Sequence, residues 1–393
     1  MRNAILFIFD TVLQILLILF SYIVPKKKGL ILLTSSDGIS LADNPKYLYH
    51  YLLNNKTGFL PYWSTKNHDL FVELKNNDFP VTYIYSLHHF IKALRSEIII
   101  CDDTENPVLY NGLFYFLGRF KSLLTWHGTG FKKIGLMDDK YSRESYSFGK
   151  ILLSIRKKIY QNYFFIIATS EKDKERKELC FRNKNIYITG SPRNDIFFNK
   201  EYDSELKSKY NLERYSKILL YVPTYRENNT NKPFSEKFYG KFQDYLDKEN
   251  YVFIIKKHKY DKALFVPDNH QNIIDMSTRI SDVQELMLVT DVLISDYSSI
   301  VTDFVLTGNP ILFYIYDYRE YTRSCRGFMY DLKEILPGPF VYDEEDLLNK
   351  ISNLSWFNNT VYKKKYDKFQ NDFQKYKDGR SSERVVTILK DWG

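Results

Sequence analysis

"DVLISDYSSIVTDF", Asp291 to Phe304, carries the reading of the fold. The apolar run Val292–Ile294 is too short for a helix. It stops at Ser295-Asp296, and a helical pattern opens after Ser298-Ser299. Unbroken apolar runs of this kind mark strands buried on both faces of a parallel sheet. The order is strand, polar turn, helix, which is the repeating unit of an α/β sheet.

The same unit recurs in both directions. Downstream lies "PILFYI" (310–315), and upstream "KILLYVPTY" (217–225), "YVFIIKKH" (251–258) and "NIIDMS" (272–277). An earlier set comprises "GLILLTS" (29–35), "VTYIYS" (81–86), "EIIICDD" (97–103), "SLLTWHG" (122–128), "FFIIATS" (164–170) and "NIYITGS" (185–191). Helical patterns such as "NPKYLYHYLLNN" and "SFGKILLSIRKKIYQNY" separate them. "NKEYDSELKSKYNLERYS" (199–216) is polar and reads as a connector between the two sets. The expected organisation is an α/β domain over 29–200, a second over 215–375 and a C-terminal helix over 376–393.

Ligands of such sheets bind beyond the carboxyl ends of strands. His127, Arg226, His258 and Asp296 each fall just past an expected strand end, which points to one cleft shared by two Rossmann-like domains. Ser298 and Ser299 suit a helix N-cap whose amides and hydroxyls could hold phosphate; an ordinary capped helix is the plainer alternative. Arg226, in "YVPTYRE", offers a planar fork for two parallel hydrogen bonds to phosphate. His258 follows Lys256 and Lys257 and suits either a strand-end cap or a phosphate ligand. Arg193 lies in "GSPRND", where turn chemistry explains most of the sequence. His127, in "WHGTGFKKIG", is the candidate base, with Gly128 and Gly130 allowing close approach of the backbone to a ligand.

The N-terminus is of another kind. "AILFIFDTVLQILLILFSYIV", Ala4 to Val24, is long enough to cross a bilayer, and Lys26, Lys27 and Lys28 follow it. Its polar residues Asp10, Gln14 and Ser21 lie within roughly 40° of one another at about 100° per residue. A helix of residues 1–28 lying on an anionic membrane surface, with the lysines on lipid phosphates, is the reading favoured here. A single span, a signal peptide and a buried core helix are the alternatives.

Composition excludes several classes. A chain of 393 residues that is 44% hydrophobic is neither one small domain nor disordered. The formal charge of +8 suits an anionic partner, but no dense basic tract with interleaved aromatics points to nucleic acid. Cys101, Cys180 and Cys325 are scattered and form no CxxC, against a disulfide framework or a zinc site. There is no Asp-x-Asp, no phosphate-binding GxxxxGK[ST], no strand-linked GxGxxG and no GxSxG elbow. No cofactor and no metal site are expected.

Taken together, these motifs resemble the CDP-glycerol glycerophosphotransferase family of teichoic-acid and capsule synthesis. "WHGTGFKKIG" is similar to that family's W-H-G-T-P-x-K-x-x-G, "GSPRND" to G-x-P-R-N-D, "VPTYRE" to A-P-T-W-R, and "DVLISDYSSIVTDF" to the family pattern itself. "YDYREYTRSCRGFMYD" with the following Pro-Gly-Pro, and "DNPKYLYHYL" (43–52), complete the set. Gly130 stands where the family has proline, Tyr225 where it has tryptophan, and Lys259 where it has proline.

The resemblance implies a fold of the GT-B type on the cytoplasmic face of the cell membrane. It implies transfer of polyol phosphate, glycerol phosphate first, from CDP-glycerol or another CDP-polyol to a lipid-linked saccharide or polyol-phosphate polymer, with release of CMP. By that resemblance His127 is the catalytic base, and Arg226, His258, Ser298 and Ser299 hold the donor's phosphates. Asp296 and Asp303 lie in the same donor-binding segment. Thr129, Arg193, Thr224 and Arg326 are secondary members of the expected site. A glycosyltransferase using a nucleotide sugar, and a non-catalytic binder of anionic polymer, are the competing readings.

Overall fold

The computed structural model of the protein describes residues 2–35, 38–103, 118–138, 154, 157–199, 201–226, 232–258, 261, 263–267, 270–280, 282–324 and 327–392. The chain divides into two compact units. Unit 1 is Met1–His127, Ile134–Asp195 and Asp378–Gly393; unit 2 is Gly128–Lys133 and Ile196–Lys377.

Unit 1 is a parallel sheet of strands β1 (Leu30–Leu33), β2 (Leu60–Thr65), β3 (Val81–Tyr83), β4 (Ile98–Cys101), β5 (Lys121–Leu124), β6 (Phe165–Ala168) and β7 (Ile186–Ile188), in the order β3-β2-β1-β4-β5-β6-β7. Side chains alternate between its faces, as the pleat requires. Ile31, Leu33, Ile98 and Ile100 pack on one face with α2 (Asp43–Asn54) and with Val385, Val386 and Leu389 of α14 (Ser381–Asp391). Leu32, Ile99 and Cys101 pack on the other with Leu17 of α1 (Arg2–Ser21), Leu94 of α4 (Leu87–Arg95) and Phe181 of α5 (Glu171–Phe181); α3 (His68–Asn76) completes the early crossovers. Both faces being covered accounts for the apolar runs that had no alternation.

The expected separate segment 376–393 is instead tied into unit 1. Asp195 accepts the backbone N–H groups of Ser381 and Ser382, each at 2.8 Å. β2 was absent from the expected strands because Pro61 interrupts its pattern. The strand tolerates that proline because β3 begins opposite Trp63, so no neighbour on that side needs the missing N–H.

α1 corrects the N-terminal reading. No helix among the described residues is long and apolar enough to cross a membrane, so the single span is not supported. The polar stripe does not face outward. Gln14 and Ser21 are fully buried, and Ser21 Oγ donates to the Ile18 carbonyl at 2.6 Å and accepts the Arg119 N–H at 2.9 Å. Lys26 also turns inward: its Nζ donates to the Leu94 carbonyl at 3.0 Å and lies 4.2 Å from the Phe120 ring centre. Exposed instead are Ile8, Phe9, Val12, Ile15, Leu19, Phe20 and Ile23.

Unit 2 repeats the architecture with β8 (Lys217–Val222), β9 (Tyr251–Ile255), β10 (Ile273–Asp275), β11 (Val292–Ser295), β12 (Ile311–Tyr314) and β13 (Phe340–Val341), all parallel, in the order β10-β9-β8-β11-β12-β13. The connecting helices are α6 (Glu201–Lys209), α7 (Glu236–Glu249), α8 (Val283–Leu288), α9 (Ile300–Phe304), α10 (Tyr318–Ser324), α11 (Leu332–Ile335), α12 (Glu344–Ser352) and α13 (Thr360–Phe373). One face packs Leu219, Tyr221, Phe253, Ile294 and Leu312 against Phe242 and Leu246 of α7 and Leu347 of α12. In each sheet the first and fourth strands of the unit lie side by side, so the strand order reverses there. That arrangement is the dinucleotide-fold switch point, where a crevice opens past the strand ends.

Candidate active site

In unit 1 the switch point lies between β1 and β4, and β5 is the next strand. The chain leaves β5 through a tight turn: Trp126 is left-handed at φ 57°, and Gly128 sits at φ 135°, a value that favours glycine. Between them His127 is exposed. Its ring stacks on Trp126 with centroids 4.4 Å apart and planes at 25°. Its Nδ1 is 3.2 Å from the carbonyl oxygen of Asp102, at the end of β4. A carbonyl can only accept, so Nδ1 is the donor, and in the neutral ring Nε2 is then the nitrogen with the lone pair. This is the tautomer a general base needs.

Arg193 lies past β7 and is buried. Its Nη1 pairs with Asp43 Oδ2 at 2.8 Å, and its backbone N–H donates to Asn44 Oδ1 at 3.1 Å. The "GSPRND" turn is thereby anchored on the start of α2.

The two halves of "WHGTGFKK" belong to different units: His127 to unit 1, Gly128–Lys133 to unit 2. Within unit 2 this segment is fixed by two backbone hydrogen bonds, which together make one antiparallel bridge. Lys133 N–H donates to Gly327 at 3.0 Å and Met329 N–H donates to Phe131 at 2.7 Å, which pairs Lys132 with Phe328. Phe131 is fully buried, 5.7 Å from Phe373 and 6.1 Å from Phe369 by ring centres. Thr129 is buried, and its carbonyl accepts Thr302 Oγ1 at 2.8 Å. A Cβ at position 130 would lie 3.2 Å from Ser299 Cβ, so a larger residue there would press on that serine.

At the switch point of unit 2, between β8 and β11, Asp296 is fully buried. Its Oδ1 accepts the Thr224 N–H at 2.9 Å, Thr224 Oγ1 at 2.7 Å and the Tyr297 N–H at 2.6 Å. Its Oδ2 lies 2.8 Å from Arg226 Nη2. Arg226 is itself buried. Its Nε and Nη2 donate to the two oxygens of Asp317 at 2.7 and 3.1 Å, and Nη1 donates to the Thr224 carbonyl. Its guanidinium carbon is 4.5 Å from the ring centre of Tyr321, which stacks on Tyr297 at 4.2 Å and 9°. Burial opposes the charge on Arg226, but the Asp296 and Asp317 carboxylates more than offset it and hold the pKa above its ordinary value.

This corrects the expected role of the Arg226 fork. The fork that was expected to meet phosphate is occupied by Asp317, and only Nη1 retains an N–H beyond its bond to Thr224.

The remaining expected residues are distributed as follows. His258 is exposed past β9, with its ring 5.4 Å from Tyr225. Ser298 and Ser299 are half-buried past β11. Ser299 makes no side-chain cap bond, while Ser298 Oγ accepts the Ile300 N–H at 3.4 Å. The helix they open, α9, has five residues and runs on into a 3-10 turn over Val305–Thr307. Asp303 is buried, and Gln284 Nε2 donates to its Oδ2 at 3.3 Å; it braces α9 on α8. Arg326 lies outside the described residues. Among the described residues no group of three or more His, Cys, Asp or Glu side chains converges as a metal site. Cys101 and Cys180 are free and buried, and burial pushes both thiols up in pKa.

Sequence reasoning missed Asp317, Asn44 and the Asp102 carbonyl. Asp317 and Asn44 stood in the stretches "YDYREY" and "DNPKYL", where polar residues interrupt apolar patterns; nothing in the chain order tied either to its partner.

The family described as CDP-Glycerol:Poly(glycerophosphate) glycerophosphotransferase matches residues 16–390. A teichoic acid glycerol-phosphate transferase of Staphylococcus aureus is 28% identical, covering 92% of this chain and 93% of that protein. A teichoic acid glycerol-phosphate primase of Bacillus subtilis is 30% identical, covering 77% of each. Among solved structures, the wall teichoic acid polymerase TagF superposes with a TM-score of 0.78 at 24% identity, over 93% of this chain and 89% of that one. A UDP-GlcNAc 2-epimerase of Neisseria meningitidis reaches 0.52 at 13%, over 92% and 99%. The last two are likenesses of fold.

Proposed function

The chain belongs to the CDP-glycerol:poly(glycerophosphate) glycerophosphotransferase family, and from that premise we propose how it works. It transfers polyol phosphate from a CDP-polyol to an acceptor hydroxyl in teichoic acid synthesis. The donor is CDP-glycerol, and the acceptor is a polyol-phosphate polymer or a lipid-linked saccharide.

The observation that carries the mechanism is the 3.2 Å contact of His127 Nδ1 with the Asp102 carbonyl oxygen. With Nδ1–H on the Asp102 carbonyl, Nε2 is free to take the proton of the attacking hydroxyl. The hydroxyl oxygen forms a bond to the phosphorus that bears the polyol. The bond from that phosphorus to the CMP oxygen breaks, and CMP leaves with the electron pair. Charge on the leaving group must be neutralised for this to be fast. Ser298 and Ser299 hydroxyls, the His258 ring and the remaining Nη1–H of Arg226 are the groups of unit 2 assigned to that task. Asp296, Asp317 and Thr224 hold Arg226 rather than touching the donor.

The same proposal gives α1 its place. Its exposed side is apolar from Ile8 to Ile23, and Lys27 and Lys28 are exposed just beyond. An apolar patch of this extent flanked by lysines suits the interface of an anionic bilayer on the cytoplasmic face, with α1 lying in the membrane plane.

The test is CMP release by the purified chain with CDP-glycerol, CDP-ribitol and UDP-sugars as donors. Turnover of a CDP-polyol alone supports the proposal. Turnover of a UDP-sugar with no CMP from either CDP-polyol overturns it in favour of a glycosyltransferase.

A further inference from the structure

The turn that presents His127 is not held by β5 alone. Trp126 is an aromatic residue in the left-handed region, a conformation that persists only when its surroundings hold it. The indole packs on Phe181 in the core, and the side chain that holds the backbone carbonyl is Asn44, which is 1% exposed in the first turn of α2. Asn44 Nδ2 donates to the Trp126 carbonyl at 2.8 Å, and Asn44 Oδ1 accepts the Arg193 N–H at 3.1 Å. One amide thus links the "WHG" turn to the "PRND" turn, across 82 and 149 residues of chain.

Asn44 is itself fixed. Asp43 Oδ1 accepts its backbone N–H at 2.6 Å, while Asp43 Oδ2 pairs with Arg193 Nη1 at 2.8 Å. The pair Asp43-Asn44 therefore grips Arg193 at both backbone and side chain, and passes that grip to the carbonyl preceding His127.

We propose that Asn44 is a positioning residue for His127. It holds Trp126 so that His127 stacks on the indole, keeps Nδ1–H on the Asp102 carbonyl and leaves Nε2 outward. The link requires one donor and one acceptor in a single short side chain. Aspartate has the shape but no donor, alanine has neither, and serine is too short to span both turns. This inference rests on the reading of His127 as the base.

The experiment is a double-mutant cycle in the full chain, with Asn44→Asp, His127→Ala and the pair, following CMP release from CDP-glycerol and the thermal midpoint. Asn44→Asp should lower kcat by about 10–100-fold with donor KM nearly unchanged, as expected when a reacting group is displaced by a fraction of an ångström or more. In a His127→Ala background it should cost almost nothing further, because its effect passes through the imidazole. A kcat within about twofold of wild type, or a loss that simply multiplies with that of His127→Ala, overturns the inference.

If Asn44→Asp does not fold, the ¹⁵N shifts of the His127 ring in Asn44→Ser decide. A mixed tautomer supports the role, and an unchanged Nδ1–H tautomer with wild-type kcat removes it. Failure of the underlying reading looks different: His127→Ala would then turn over normally whatever residue stands at position 44.

Discussion

Arg226 and Asp317, 91 residues apart, meet through two parallel hydrogen bonds, Nε to Oδ2 at 2.7 Å and Nη2 to Oδ1 at 3.1 Å. The guanidinium is pre-set by protein carboxylates and the Tyr297 and Tyr321 faces, so its substitution strands the buried Asp296 and the half-buried Asp317 as well as removing a positive charge. Arg226→Ala should lower the unfolding free energy by about 3–5 kcal/mol, because Asp296 and Asp317 lose their common partner. Arg226→Lys should recover only part of this, since an ammonium cannot present the fork. Urea titration checks it; an unchanged midpoint for Arg226→Ala would mean that the cluster contributes nothing to the fold.

Asp173, in the first turn of α5, is the buried counterpart in unit 1. It lies 2.9 Å from both Arg176 Nη2 and Lys177 Nζ and accepts the Thr169 N–H at 3.1 Å. Burial alone would raise its pKa, but the Lys177 and Arg176 charges outweigh burial and bring it below the usual carboxylate range. A carboxyl with a depressed folded pKa stabilises above its unfolded value of about 3.9, and that contribution is lost as pH falls through the folded value. Asp173→Asn should cost about 3–5 kcal/mol near neutrality and flatten the acid side of the stability profile. A variant whose stability matches wild type near neutrality, or that keeps the wild-type acid slope, would contradict the assignment.

Much of this frame was legible in the sequence. The parallel sheets follow from apolar runs without alternation, and the polar residues past those runs do lie at strand ends. The expected strands ran too far at their carboxyl ends, to Tyr225, His258 and Ser299, whereas the strands stop at Val222, Ile255 and Ser295. What could not be read was pairing across distance: Arg226 with Asp317, Asn44 with Trp126 and Arg193, Asp195 with Ser381. Local pattern says which residues are polar and where, but the partner is chosen by sheet order. The partner of the polar stripe of α1 was out of reach for the same reason, since Arg119, whose N–H Ser21 accepts, is 98 residues away.

Lys26 should titrate early. Burial, and then the charge of Arg119, pull its pKa down to about 8. The unfolded chain, with a lysine pKa of about 10.4, binds more protons between these values, so stability should rise with pH across that window. The rise should vanish in Lys26→Met. Acylation at pH 8 should also label Lys26 faster than the exposed Lys27; equal labelling would place Lys26 in solvent.

The outer face of α1 can be tested without disturbing the core. Phe9→Glu with Leu19→Glu should leave the thermal midpoint unchanged and lower binding to phosphatidylserine-containing vesicles by at least about tenfold. Lys27→Glu with Lys28→Glu should remove the preference for anionic over neutral vesicles, at about 1 kcal/mol per lysine. Unaltered sedimentation with vesicles in both variants would exclude α1 as the membrane contact.

The central claim is that His127 Nε2 takes the proton of the attacking hydroxyl, and His127→Gln tests it most directly. Glutamine can still hydrogen-bond the acceptor but cannot accept its proton. With CMP release from CDP-glycerol as the readout, kcat should fall by roughly 10²–10⁴-fold while donor affinity stays near wild type. A Gln variant that turns over close to the wild-type rate would contradict the account and leave His127 as a positioning or phosphate-binding group.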